Sequence, residues 1–381
     1  MEQITRKAYA KINLVLDVTG RLPNGYHEVS MVMQNVGIHD TLTFTKRGDE
    51  QIVLTTNDGQ LPLGEDNLIY KAVLLLRELT GNKDGVTIHL EKRIPVAAGM
   101  AGGSTDAAAT LLGVNELLGL GLQKKQLQKE SVRIGADVPY CVLGKTAHAR
   151  GIGEKLTEIA SPPQAYLVVA KPDINVSTPV VYRALDSLPS YPHPDVEGMI
   201  QALEQKDLNA LCEKLGNVLE LVTAKEYPVI GQIEDVLLKE GAKAALMSGS
   251  GPSVFGIFDT EGQAQTACKA LEKAALAKQP DEFKDVKPLT EKEHDELVSS
   301  LLDSMKEEQN PSMARTKTRG ENQFEHISME EGINKRPSVK KELDEIKNRN
   351  KKAKPKQTVR QRNRVRRKQP QRKKKIKRKV R

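Results

Sequence analysis

Between Pro95 and Ala109 the chain reads PVAAGMAGGSTDAAA, a glycine-rich turn that runs straight into an alanine-rich helix start. Few local sequences restrict a fold as much. Gly99, Gly102 and Gly103 lack Cβ atoms, so the backbone there can take positive φ and another group can approach its amides closely. Ser104, Thr105 and Asp106 supply N-cap chemistry ahead of Ala107, Ala108, Ala109, Leu111 and Leu112, which read as helix. The first N–H groups of such a helix have no intrahelical partner and lie at the positive end of its dipole, so an anion there is stabilised. The stretch looks built to hold phosphate, and a triphosphate is the obvious ligand. Yet no Gly-Lys-Ser/Thr follows the glycines, and the spacing is not that of a dinucleotide fingerprint. Taken alone the segment is as readily a plain structural connection, so a phosphate role needs companions elsewhere in the chain.

Length and composition narrow the field. A chain of 381 residues has room for two or three domains with real cores. Charge is unevenly spread: of 59 Lys and Arg, 18 fall in residues 351–381, which hold no acid. Removing them leaves 41 basic against 50 acidic residues in 1–350, a formal charge of −9 for the bulk and +18 for the tail. Cys141, Cys212 and Cys268 are far apart and not at metal-ligand spacing, which fits free thiols in a reducing compartment, and the seven histidines form no HExxH pattern. A structural metal is not expected. The N-terminus has no apolar signal region, and no stretch reaches the ~20 apolar residues of a membrane span. A cytoplasmic protein without a membrane span is therefore expected. The absence of Trp and an aromatic content of 3% argue against a base-stacking surface of the single-strand-binding kind.

Apolar–polar alternation in short runs from Ile4 to Thr56, broken by RLPNGYH, predicts an N-terminal block of strands. Asp66 is expected to cap a helix through LIYKAVLLLREL that ends near Gly81, and Val86 to Lys92 returns to a strand. The glycine-rich loop and its helix follow, then a helix in KKQLQKESVRI and the segment GADVPYC. KTAHARGIGEKLTEI and Ala165 to Pro172 read as strands. Helices are expected in DVEGMIQALEQ, DLNALCEKLGNVLE and YPVIGQIEDVLLKEG, two strands around a glycine turn in Ala242 to Phe258, and a last amphipathic helix in GQAQTACKALEKAAL. The reading is an α+β chain of two lobes, 1–160 and 161–282, with strands weighted to the first. Residues 283–381 are charged and poor in large apolar side chains, which predicts a largely disordered tail, with helix in TEKEHDELVSSLLDSMKEEQ and some in RPSVKKELDEIKNRNKK.

Five segments combine into a pattern: AYAKINLVL (Ala8 to Leu16), NGYH (Asn24 to His27), PVAAGMAGGSTDAAA, GADVPYC (Gly135 to Cys141) and SGSGPSVF (Ser248 to Phe255). In this order and at these separations the first 282 residues resemble the superfamily of galactokinase, homoserine kinase, mevalonate kinase and phosphomevalonate kinase, the GHMP kinases. Within it the match is to the branch that phosphorylates a diphosphocytidyl methylerythritol. The resemblance implies a two-lobed GHMP-type kinase fold with a strand-rich first lobe and an α/β second lobe. It also implies ATP-dependent phosphorylation of the 2-hydroxyl of that sugar alcohol, a small-molecule substrate of the non-mevalonate route to isoprenoids.

Phosphoryl transfer rests on positioning, on stabilising the moving charge, and on a base for the hydroxyl proton. On local sequence Asp137 is a turn or cap residue ahead of Pro139 and Lys11 a solvated strand residue; the resemblance makes Asp137 the catalytic base with Lys11 against it, where a cation favours the ionised carboxylate. NGYH by itself is a hairpin turn with a surface aromatic. The resemblance has Tyr26 stack on the cytosine ring, His27 bond its edge, Asn13 lie nearby, and Thr178 and Tyr182 of VSTPVVY complete the pocket.

For ATP it implies that Pro95, Gly99, Ala101, Gly102, Gly103, Ser104 and Thr105 form the phosphate loop, with Asn67 toward adenine. Ala101 stands where glycine is common in the family, which leaves the loop geometry open. Mg²⁺ is expected with ATP, and its ligands are not legible beyond a guess at Ser104 or Thr105. Gly249 and Ser250 are either part of a plain tight turn or contacts on the acceptor side. The basic tail lies outside the family pattern; at its charge density it would bind polyanions such as nucleic acid. A nucleic-acid or ribosome-binding protein on a kinase scaffold, or a different small-molecule kinase of the superfamily, are the competing readings. Lys11, Asp137 and the intact loop favour a working kinase, and GYH with VSTPVVY favours a cytidine group. Oligomeric state is open, a homodimer included.

Overall fold

The computed structural model describes residues 2–23 and 25–277, with side chains to 274; the expected helices and disorder of the tail, and Asn24, lie outside the described residues. Two long strands dominate, β1 (Gln3–Arg21) and β2 (His27–Lys46), where the alternation predicts only short runs. They pair antiparallel almost end to end, from Gln3 opposite Thr45 to Arg21 opposite His27. Register shifts at Tyr9/Lys11, Asn13/Val15 and Val18/Gly20 bend the pair and break the strict alternation.

β3 (Ile52–Thr56), α1 (Leu68–Thr80), β4 (Val86–Glu91), α2 (Gly102–Leu117), α3 (Lys124–Ser131), α4 (Val138–Leu143), β5 (Ala147–Gly151) and β6 (Lys155–Glu158) follow. The cap of α1 is Asn67 and not Asp66: the side-chain Oδ1 of Asn67 accepts from the Ile69 amide at 2.9 Å. Gly81 closes this helix in the left-handed region, φ 72°, as its position predicts. The segment expected as one strand over 145–159 is a hairpin, β5 against β6, turned at Gly151 and Gly153.

The second half contributes β7 (Tyr166–Ala170), α5 (Thr178–Asp186), α6 (Val196–Gln205), α7 (Leu208–Glu213), β8 (Gly216–Asn217), α8 (Glu220–Glu226), α9 (Val229–Lys239), β9 (Ala244–Met247), β10 (Val254–Phe258) and α10 (Glu261–Ala277). DLNALCEKLGNVLE is therefore not one helix. It ends at Lys214, and Gly216–Asn217 pair in parallel with Val15 and Leu16, because the chain must close the free edge of β1.

The larger sheet runs β3-β4-β2-β1-β8, with β5 on β2 and β6 on β5; the smaller runs β7-β10-β9. One core lies among α1, α2, β2 and β4, around Phe44, Ile69, Leu76, Ile88 and Leu111. A second joins β1, β2 and β5 to α5, α9 and the small sheet through Met33, Tyr140, Ile230 and Phe258. A third packs Ile12, Val32, Ile94 and Met100 against Met199, Leu203 and Phe255. β1 is buried on both faces from Ala10 to Val18, which makes Lys11 and Asn13 polar exceptions in an apolar environment.

Candidate active site

α2 begins one turn earlier than the Ser-Thr-Asp run suggests. Its N-cap is Ala101, in the left-handed region at φ 55° and with no side chain to cap, so Ser104, Thr105 and Asp106 belong to the helix. The first intrahelical bond is Thr105 N–H to Ala101 O, which leaves the amides of Gly102, Gly103 and Ser104 without an intrahelical acceptor. The loop before it is strapped to β1. At the register shift the Lys11 amide donates to Met100 O at 3.1 Å, and the Thr105 hydroxyl donates to Tyr9 O at 2.9 Å. Two backbone groups of a bulged strand thus hold the loop in place.

From the other side comes SGSGPSVF. The Ser248 hydroxyl donates to Gly99 O at 3.1 Å, and a Cβ on Gly99, whose φ is 70°, would lie 2.2 Å from Ser248 O. Only glycine fits there, so the two glycine-rich turns are one packed unit. The Asn217 amide donates to Met247 O at 2.9 Å and Gly249 O at 2.8 Å, fixing the second turn to β8.

These loops border a cleft of ≈ 760 Å³. Of the sequence-predicted residues, Lys11, Asn13, Tyr26, His27, Gly99, Ala101, Ser104, Asp137, Thr178, Tyr182, Gly249 and Ser250 line it. Pro95, Gly102, Gly103, Thr105 and Asn67 do not: Asn67 caps α1, and Thr105 is buried beneath the loop with its hydroxyl on Tyr9.

Lys11 is only 5% exposed, and its Nζ lies 2.7 Å from Asn13 Oδ1 and 3.8 Å from Asp137 Oδ2. Asp137 sits just before α4 without capping it by its side chain, so its carboxylate is available to the cleft.

Opposite, His27 and Tyr182 stand with ring centroids 4.6 Å apart, and His27 Nε2 lies 2.7 Å from Asp186 Oδ1. Arg21 reaches the other oxygen of Asp186 at 3.6 Å. Burial pushes the Tyr182 phenol well up, with the Asp137 charge adding to it, so the ring stays neutral. Tyr26 is 59% exposed at the mouth. Thr178 and Ser250 hydroxyls meet at 2.7 Å, joining α5 to the second glycine turn.

Asp186 and Arg21 were not singled out from the sequence. A signal existed for Asp186, since it follows Tyr182 by four residues and shares its face of α5. Among the described residues no cluster of three or more His, Cys, Asp or Glu is placed to hold a metal ion, and no helix is long and apolar enough to cross a membrane.

The pattern of the GHMP kinases N terminal domain matches residues 67–145, and that of the GHMP kinases C terminal matches 199–278. The chain is 50% identical over 269 residues to the 4-diphosphocytidyl-2-C-methyl-D-erythritol kinase of Lachnospira eligens, covering 71% of this chain and 93% of that protein. It is 46% identical over 269 residues to the enzyme of the same name from Bacillus subtilis, with 71% and 93% covered. A crystal structure of a 4-(cytidine 5'-diphospho)-2C-methyl-D-erythritol kinase superposes with a TM-score of 0.61 at 35% identity, over 71% of this chain and 96% of the other. Homoserine kinase from Cytophaga hutchinsonii, at 21% identity and a TM-score of 0.60 over 73% and 92%, shares the fold.

Proposed function

The chain belongs to the GHMP kinases, in the 4-diphosphocytidyl-2-C-methyl-D-erythritol kinase family, and we propose that it moves the γ-phosphoryl group of ATP to the 2-hydroxyl of that compound. The observation that carries the reading is the sharing of one cleft by the Lys11–Asp137 pair, the N-terminus of α2 and the His27–Tyr182 pair. The triphosphate lies along Gly99 to Ser104 and meets the amides at the start of α2, where the helix dipole favours negative charge. Asp137 accepts the proton of the attacking hydroxyl. Lys11, held by Asn13, offsets charge on the transferred phosphoryl group and orients Asp137.

Tyr26, His27, Tyr182 and Thr178 hold the cytidine end, the aromatic rings by stacking and His27 by a polar edge fixed through Asp186. Gly102 and Gly103 serve the triphosphate through their backbone amides at the start of α2, while Asn67, by capping α1, and Pro95 and Thr105 support the ATP side from outside the cleft.

Mg²⁺ is expected with the triphosphate, where it would offset phosphate charge and would take most of its ligands from phosphate and water. Of the two hydroxyls at the helix start, Ser104 lines the cleft while that of Thr105 is taken by Tyr9 O, which supports Ser104 as the one that would reach it. The basic segment 351–381, with 18 Lys and Arg and no acid, adds a salt-sensitive polyanion contact independent of the chemistry.

ADP release in the presence of 4-diphosphocytidyl-2-C-methyl-D-erythritol tests the reading, with the full chain and with one ending near residue 285. Turnover by both is expected. Absence of turnover in both refutes the kinase assignment.

A further inference from the structure

Behind the phosphate loop lies a cluster of charges that the reaction does not use. Lys92, one residue past β4, places its Nζ 2.5 Å from Asp40 Oδ2 on β2 and 2.9 Å from Asp106 Oδ2 in the second turn of α2. All three side chains are buried, at 6%, 0% and 4% exposure. The other oxygen of Asp40 accepts the amides of Arg93 at 2.5 Å and Ile94 at 2.8 Å, the residues that lead into the loop. Asp106 Oδ1 is buried with no hydrogen-bond partner. A Cβ on Gly102 would lie 2.9 Å from Lys92 Nζ, so the ammonium sits directly against the first residue of α2.

As a stabiliser such a cluster is a poor device, because desolvating three charges costs about as much as their attraction returns, and an apolar set of the same shape would serve. What it supplies is direction. Asp40 fixes the entry to the loop, Asp106 fixes its exit, and Lys92 joins the two across the sheet. Burial, together with the nearby Asp40 charge and against the pull of Lys92, pushes the Asp106 carboxyl up to about 7, consistent with a strained two-acid, one-base cluster.

We propose that Lys92, Asp40 and Asp106 form a buried ionic clamp that holds the phosphate loop at its two ends, with Lys92 as a positioning residue for ATP that does not itself touch it. The proposal rests on the phosphate-loop reading above. The clamp acts on the donor nucleotide and leaves the cytidine end alone, and a merely structural role would not produce that split.

The test uses the full chain, with equilibrium binding of AMP-PNP and Mg²⁺ measured beside KM for the acceptor. Lys92→Met is expected to weaken nucleotide binding by about tenfold or more, a displaced loop being as damaging as a lost contact, with acceptor KM held within about twofold. Asp106→Leu should behave alike, while Asp106→Asn, which keeps shape and an acceptor for Lys92, loses several-fold less. Wild-type nucleotide affinity in Lys92→Met with only a lowered melting temperature overturns the clamp. Should Lys92→Met fail to fold, equal affinities in Asp106→Asn and Asp106→Leu overturn it as well. A wild-type chain that binds no nucleotide refutes the phosphate-loop reading itself, and the clamp with it.

Discussion

On the proposed nucleotide side of the cleft the groups offered to a ligand are backbone amides at the start of α2, whereas on the proposed acceptor side they are side chains, Tyr26 ahead of β2, His27 at its start and Tyr182 on α5. A backbone site is specified by conformation, through residues such as Gly99 and Ala101 at positive φ, and by what straps the loop down. A side-chain site is specified by residue identity. Damage on the first side should therefore spread into stability, and damage on the second should stay local.

The largest expected effect lies between the two sides. Asp137→Asn removes the proposed proton acceptor but keeps shape and position, and turnover should fall by about 10²–10⁴-fold. ATP affinity by equilibrium titration should stay near wild type; a variant with near-normal turnover would show that Asp137 is not the base.

Gly99→Ala attacks the backbone side. Its Cβ would meet Ser248 O at 2.2 Å in a conformation that disfavours side chains, so a lowered unfolding midpoint, corresponding to a loss of about 2–4 kcal/mol in unfolding free energy, is expected together with a raised KM for ATP. An unchanged midpoint would break the contrast drawn here.

Tyr182→Ala tests the other side. Losing one stacked ring should raise acceptor KM by the equivalent of about 1–3 kcal/mol, with ATP KM unmoved. A parallel rise in both would mean that the two sides are not separable.

The smallest effect concerns the seam beneath the second glycine turn. Glu220 Oε2 accepts the Met247 amide at 2.7 Å, and burial, then the Glu220 charge, pushes the neighbouring Glu234 carboxyl up to about 8. The folded state therefore keeps a proton that the unfolded chain gives up in the ordinary carboxylate range. Stability from this group is full at low pH and is lost as pH rises toward about 8. Urea midpoints from pH 5 to 9 should show a decline that Glu234→Gln flattens; parallel curves for the two chains would rule it out.

The contrast also explains what was legible in the sequence. Lys11, Asp137, His27 and Tyr182 carry identity and could be named by resemblance before any geometry was known. The helix start was misplaced by a turn because Ser104, Thr105 and Asp106 look like caps, while the real cap, Ala101, has no capping group and is set by left-handed backbone and by β1. Lys92 and Asp40 carry no local signal for a related reason. A charged residue beside a strand reads as solvated, and only the fold brings three charges separated by 52 and 14 positions into one buried cluster. The two-residue β8 carries no periodic signal at all; nothing but the free edge of β1 calls for it.

That short strand has a consequence for how the protein can be taken apart. Gly216 and Asn217 complete the sheet on β1, and the Asn217 side chain holds the second glycine turn, so the two halves of the sequence interlock at the wall of the cleft. A nick in the connection between Glu158 and Tyr166 would leave a nicked but assembled enzyme. The first half made on its own would present the bare edge of β1, a template for pairing with its own kind, and would recruit another copy or precipitate until the second half was supplied.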